Sequence, residues 1–276
     1  MRITFQWILA VLITLIAIVY QRKTGPTNDK VIQTVIENKE YRFKLVRSHG
    51  GNSDCPVILQ ISDEQIGGEL HFRKYPTNEK WTVAEMERQD DTLVGFLPNL
   101  PPAGKYEYKI ILKKGTRSFP LNDNKSVVIR FKGDVPAIAL IPHIILMFLA
   151  MLLSNLTGIM ALFNNSRFRY FAGLTFWTLL TGGLIFGPWV QWHAFGEAWA
   201  GVPFAWDLTD NKTLVATLFW LATYLMNRKK TKPAITIIAA CITIIVFSIP
   251  HSMYGSELDP ETGKIIQGYI NLYFYR

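Results

Sequence analysis

The chain has 276 residues and a formal net charge of +8; 49% of its residues are apolar and only 18% are charged. A soluble globular chain carries about 25% charge, and here the apolar residues gather in blocks, so a soluble domain, a disordered chain and a disulfide scaffold are excluded. Five blocks lie around 3–20, 137–163, 168–192, 213–227 and 233–251, and each reads as a helix crossing a bilayer.

The first block is an N-terminal anchor over residues 1–22. Its apolar run is longer than the core of a secretory signal peptide, and no small-x-small cleavage site precedes Gln21-Arg22-Lys23. The reading is therefore an uncleaved anchor.

Segment 27–133 reads as strands. Residues Tyr41 to Val46 and Glu69 to Arg73 alternate apolar with polar, Val57 to Ile61 is a short apolar run, and Tyr106 to Leu112 alternates before turning apolar on both faces. Val127 to Phe131 closes the segment, and Gly50-Gly51-Asn52, Gly67-Gly68 and Lys114-Gly115 are turn signals between runs. About seven strands with turns every 8–12 residues predict an all-β sandwich. The stretch from Gly95-Phe96-Leu97-Pro98 through Pro101-Pro102-Ala103-Gly104 to Tyr106-Glu107-Tyr108 resembles the loop-into-strand passage of immunoglobulin-like and fibronectin-III-like domains. There a proline-glycine turn feeds a strand whose aromatics lie between two sheets. The resemblance implies a fold and no activity, since such sandwiches host many functions. Cys55 and Cys241 stand in different segments and are not expected to pair.

After Asp134 and Pro136 the chain enters residues 136–256, read as a four-helix transmembrane bundle, and ends in a tail, 257–276. Charge sets its orientation. Arg167 and Arg169 lie between blocks two and three, and Arg228, Lys229, Lys230 and Lys232 between blocks four and five, with no acid in either loop. Six unopposed basic residues in two short loops mark the cytoplasmic side. The 191–212 loop and the tail, which carry most of the acids of this half, are then extracytoplasmic, as is 27–133, with Met1 in the cytoplasm. The positive charge is thus largely topology. No concentrated basic stripe exists, so no nucleic-acid partner is expected.

Polar residues of the bundle share one depth. His143 lies 24 residues from Arg167, His193 lies 24 from Arg169, His251 lies 19 from Lys232 and Asp210 lies 18 from Arg228. Since a helix crosses the hydrocarbon in about 20 residues, all four fall near the outer boundary. Neutral imidazoles on facing helices are natural ligands for zinc or haem, so His143, His193 and His251 are the candidate cofactor and metal ligands. Glu197 and Asp210 are the candidate catalytic acids. On a continuous helix, Glu197 would share the face of His193 at i, i+4. Asp207 or Asp210 would also serve as an N-cap for block four, and Lys212 would snorkel or pair with them. Gly173, Gly182, Gly183 and Gly187 make block three the close-packing helix, with Asn155 and Thr157 hydrogen-bonding to it across the interface.

Three functions compete. The first is a scaffold or complex subunit that binds membrane lipid and docks a protein partner through its outer β-sandwich. The second is an electron-transfer bundle holding haem b or a metal at its outer side. The third is a zinc-dependent hydrolase at the outer leaflet, with Glu197 or Asp210 as base. No CxxCH, HExxH, P-loop, dinucleotide fingerprint or GxSxG motif occurs.

Overall fold

The structure is a computed structural model and describes residues 3–25, 27–250, 257–259 and 262–266. The chain divides into two compact units. One is helical and comprises Met1–Pro26, Val135–Ser256 and Gln267–Arg276; the other is Thr27–Asp134 together with Glu257–Ile266.

The second unit is built from strands. β1 (Lys30–Ile36) and β2 (Lys39–Leu45) form a hairpin; β3 (Ser48–Gly50), β4 (Cys55–Gln60), β5 (Ile66–Lys74), β6 (Thr82–Glu85), β7 (Glu87–Gln89), β8 (Thr92–Leu97), β9 (Lys105–Lys114), β10 (Arg117–Pro120) and β11 (Val127–Lys132) follow. Eleven strands thus occupy the segment where periodicity predicts about seven, and the surplus consists mainly of three- and four-residue edge pieces. A six-stranded sheet runs β3-β11-β9-β5-β6, with β10 also paired to β9, and a three-stranded sheet runs β4-β8-β7. β3 joins β11 in parallel, whereas every other pairing in the unit is antiparallel.

Alternation decides which side chains go inside. In β2, Tyr41, Phe43 and Leu45 are buried while Arg42 and Lys44 face out, the period-two pattern of a half-covered strand. All three sheets feed one core through residues such as Phe43, Leu59, Leu70, Tyr108, Ile110 and Phe131. Burying a tyrosine requires a partner for its hydroxyl, and Tyr108 donates to the Val46 carbonyl at 2.8 Å. The buried Glu107 carboxylate is met by Arg73 Nε at 2.6 Å and by the Ser126 hydroxyl at 2.7 Å. The short hairpin β12 (Glu257–Leu258) and β13 (Ile265–Ile266) also belongs here. Leu258 N–H donates to the Ala103 carbonyl at 3.2 Å, and Lys105 pairs with Glu257. Desolvation pulls the Lys105 ammonium below the usual lysine range, and Glu257 opposes that pull.

Among the described residues, the helical unit holds three helices long and apolar enough to cross a membrane: α1 (Ile3–Thr24), α2 (Ala137–Leu162) and the continuous helix Phe168–Phe195. The last consists of α3 (Phe168–Leu179), a π-helical segment Leu180–Phe186, and α4 (Gly187–Phe195). Two more helices follow, α5 (Leu208–Met226) and the apolar α6 (Pro233–Ser248). These apolar helices are compatible with a multi-pass membrane protein.

Small residues set the helix spacing. A Cβ on Gly158 of α2 would lie 2.5 Å from the Ala240 Cβ of α6, and one on Gly182 would lie 2.7 Å from the Leu146 Cβ. Thr157 and Thr175 hydroxyls meet at 3.3 Å between α2 and α3. Asn155 turns the other way and donates to Thr14 Oγ1 of α1 at 2.9 Å. Asn165 donates to Gln6 Oε1 at 3.0 Å and Gln21 to the Phe247 carbonyl at 3.0 Å, so α1 is knitted into the bundle along its length. Its buried face is Gln6, Ala10, Thr14 and Ala17, a small and polar stripe at helical spacing. At the basic end Arg169 donates from Nε to the Asn227 carbonyl and from Nη2 to the Arg228 carbonyl, both at 2.7 Å. It thereby satisfies two carbonyls just past the end of α5.

Candidate functional site

At the other end of the bundle the 196–207 loop is fastened to the start of α5. The helix stops at Phe195 because Gly196 adopts φ +80°, with its N–H bonded to the Trp192 carbonyl at 2.8 Å. This left-handed C-terminal glycine ends the helical register before Glu197, so the i, i+4 relation to His193 does not form. Asp207 caps α5, its Oδ1 accepting from Thr209 N–H at 2.7 Å and Asp210 N–H at 3.2 Å.

Asp210 sits in the first turn of α5 and is 6% exposed. One of its oxygens, Oδ2, accepts from the Ala200 N–H at 2.6 Å and from the Gln191 amide at 3.0 Å. The neighbouring Asn211 accepts from Val202 N–H at 2.8 Å. Gly201 lies so close that a Cβ there would stand 2.8 Å from the Asp210 Cβ. A side chain at position 201 would push the loop off the helix. The Ala200 carbonyl completes the knot by accepting from Asp207 N–H at 2.8 Å. Acid and amide side chains therefore take the place of regular backbone pairing in this loop.

Lys212, expected to snorkel or to pair with an acid, is instead 3% exposed and donates to the Ile249 carbonyl, just past the end of α6, at 2.7 Å. A cation on a helix C-terminus is favourable, and this one ties α5 to α6.

His143 and His193 have different neighbours. His143, in the second turn of α2, places Nδ1 2.8 Å from the Gly182 carbonyl of the π-helical segment. A carbonyl can only accept, so Nδ1 carries the proton and Nε2 keeps its lone pair. The same ring lines a cavity of about 240 Å³ with Gln21, Ile144, Met147, Phe148, Met151, Thr209, Thr213 and Phe247. His193 is half-buried at the end of α4, its ring 5.1 Å from that of Trp192. His251 lies outside the described residues. Among the described residues, no three His, Cys, Asp or Glu side chains gather so as to hold a metal ion. Asp210 is brought together with Gln191 and Ala200, while Glu197 stands in the loop beyond the end of α4.

The comparisons with known proteins add no relative: no family model, curated protein or solved structure matches the chain.

Proposed function

We propose that the chain is a five-span membrane protein with a cytoplasmic N-terminus, presenting an extracytoplasmic immunoglobulin-like β-sandwich as a scaffold or subunit of a membrane complex. For the span count, the support is that α5 and α6 bury Trp220 and Thr243 against one another, the indole donating to the hydroxyl at 2.8 Å. They share this interior with α2 and α3. For the sandwich, the support is one core fed by several sheets. The six basic residues of the two short loops carry the orientation.

The observation that carries the scaffold reading is the use made of Asp210. Its carboxylate is engaged by Ala200 and Gln191, so it shapes a loop instead of standing ready as a base. A partner surface is at hand on the β unit. Ile58 of β4 and Phe96 of β8 are 52% and 47% exposed, and Ile58 is opposite Val94 while Phe96 is opposite Pro56. They are therefore diagonal neighbours on adjacent strands. Extraction from native membranes in mild detergent, followed by native-gel sizing, tests the reading. A complex larger than the chain itself, dispersed by the double substitution Ile58→Glu and Phe96→Glu in a still-folded protein, is the expected result. Migration as the lone chain in both cases would refute it.

A further inference from the structure

We propose that the cavity beside His143 binds a hydroxyl-headed amphiphile drawn from the lipid phase, with a head of single-ring size. The cavity lies wholly within the helical unit, between α1, α2, α5 and α6. Two of its lining residues, Ile144 and Phe148, are more than 40% exposed on the outer face of α2. In a membrane helix such a face meets acyl chains, so the mouth opens to lipid. His143 lies six residues into α2, about 9 Å along the axis. That is the depth at which the head of an amphiphile sits while its tail remains in the hydrocarbon.

Hydrogen-bond bookkeeping selects the head. His143 spends its N–H on the Gly182 carbonyl, leaving Nε2 as an acceptor without a partner among the described residues. Thr213 spends its hydroxyl hydrogen on the Thr209 carbonyl at 3.0 Å, leaving lone pairs. Gln21 spends one amide hydrogen on the Phe247 carbonyl and keeps its oxygen and one further hydrogen. The polar groups of these three side chains are therefore mostly acceptors set in an apolar wall of Met147, Met151, Phe148 and Phe247. A carboxylate, a phosphate or an oxidised quinone brings only acceptors and would leave lone pairs facing one another. A hydroxyl or phenol donates to Nε2 and can accept from Gln21. The volume of about 240 Å³ falls below the range of about 300–1,000 Å³ typical of pockets that enclose a whole drug-sized ligand. It suits one ring or a short alcohol head and is too small to enclose a porphyrin.

The π-helical segment fits this role. It turns the Gly182 carbonyl toward His143 while that carbonyl also accepts from the Gly187 N–H, and such segments recur at functional sites. Gly187 lies alongside the ring, a Cβ there standing 3.7 Å from His143 Cε1, in ordinary contact.

The test uses the full chain in lipid nanodiscs and equilibrium binding of three probes with the same short tail: a hydroquinone, its di-O-methyl ether and a straight-chain alcohol. Saturable binding of the hydroquinone, weakened about tenfold in the ether through loss of one good hydrogen bond, is expected in the wild-type protein and needs no variant. Ile144→Trp, at the lipid-facing mouth, should abolish saturable binding, and His143→Phe should erase the difference between hydroquinone and ether. Alcohol binding as tight as that of the hydroquinone supports the site and assigns it to lipid alcohols; weaker alcohol binding supports it and assigns it to ring-headed quinols. Equal affinity for hydroquinone and ether in the wild type, or uptake that Ile144→Trp leaves unchanged, would overturn the proposal. So would displacement of the hydroquinone by stoichiometric zinc, which would make Nε2 a metal ligand.

Discussion

The Asp210 carboxylate accepts the Ala200 N–H at 2.6 Å, bridging ten residues of irregular chain back onto the first turn of α5. Because the same oxygen also takes the Gln191 amide, a single side chain positions both the end of α4 and the loop after it. Replacing Asp210 with Ala leaves a buried N–H without its acceptor, which costs about 1–3 kcal/mol. We expect a matching fall in thermal stability and new proteolytic cleavage within 196–207, read by mass spectrometry of the detergent-solubilised protein. Unchanged cleavage would mean that the loop is held by other contacts.

Gly158 and Ala240 provide a sharper test of helix packing. The Cβ–Cβ approach of 2.5 Å for an alanine at position 158 cannot be relieved by rotating a side chain, because both groups are methyls. Gly158→Ala should destabilise the bundle by about 1–3 kcal/mol, the usual cost of overpacking. Ala240→Gly in the same chain should restore most of the loss, a coupling that a double-mutant cycle in detergent measures directly. Additive effects would place the two helices further apart than described.

The link between Asn155 and Thr14 predicts that α1 is a structural member of the bundle. Thr14→Val keeps the shape and removes the acceptor for Asn155 Nδ2. Interhelical hydrogen bonds in membranes contribute about 0.6 kcal/mol on average and up to about 1.7, and a loss in that range is expected. Alanine at exposed Leu12, on another face of α1, should cost less by the same unfolding measurement.

Cys55 gives a pH-dependent expectation for the β unit. Its thiol is 2% exposed and is pushed up to about 11 from 9.0, first by burial and then by the Asp29 carboxylate. The folded state therefore holds its proton at pH values where the unfolded chain has released it. This contribution to stability is fully present below pH 9 and is lost as pH rises from about 9 to about 11. Cys55→Ala should flatten the alkaline limb of a stability–pH curve. In the native protein at pH 8, the thiol should react with a disulfide reagent only after denaturant is added.

Much of the architecture was legible because blocks of apolar residues and strict alternation are strong signals. Tyr41, Phe43 and Leu45 are buried as their alternation requires, and Asp207 caps α5 as an aspartate before an apolar helix should. β1 was not legible. Its buried Ile32 and Ile36 are flanked by exposed Val31 and Val35, so apolar residues fall on both faces and hide the period. The break before Glu197 was signalled by Gly196, whose left-handed conformation ends the helix. The continuous helix on which Glu197 would share the face of His193 is therefore absent. The stripe Gln6, Ala10, Thr14 and Ala17 stood in plain view within α1. Its meaning depended on partners in α2 more than a hundred residues away, which spacing alone does not supply. The turn of Asn155 toward α1 and the burial of Lys212 are likewise settled by tertiary neighbours. The two-residue strands β12 and β13 are too short for any periodicity to show.

The orientation of the chain in the membrane is the claim on which the rest depends, and one labelling measurement addresses it. Single cysteines replace exposed Asn52 of the β unit and exposed Lys230 of the basic loop, each in a chain with Cys55→Ala and Cys241→Ala. Sealed right-side-out vesicles are then treated with a membrane-impermeant maleimide before and after detergent. Asn52→Cys should label in sealed vesicles and Lys230→Cys only once the membrane is opened. The reverse pattern, or labelling of both positions in sealed vesicles, would contradict an extracytoplasmic β unit and basic loops in the cytoplasm.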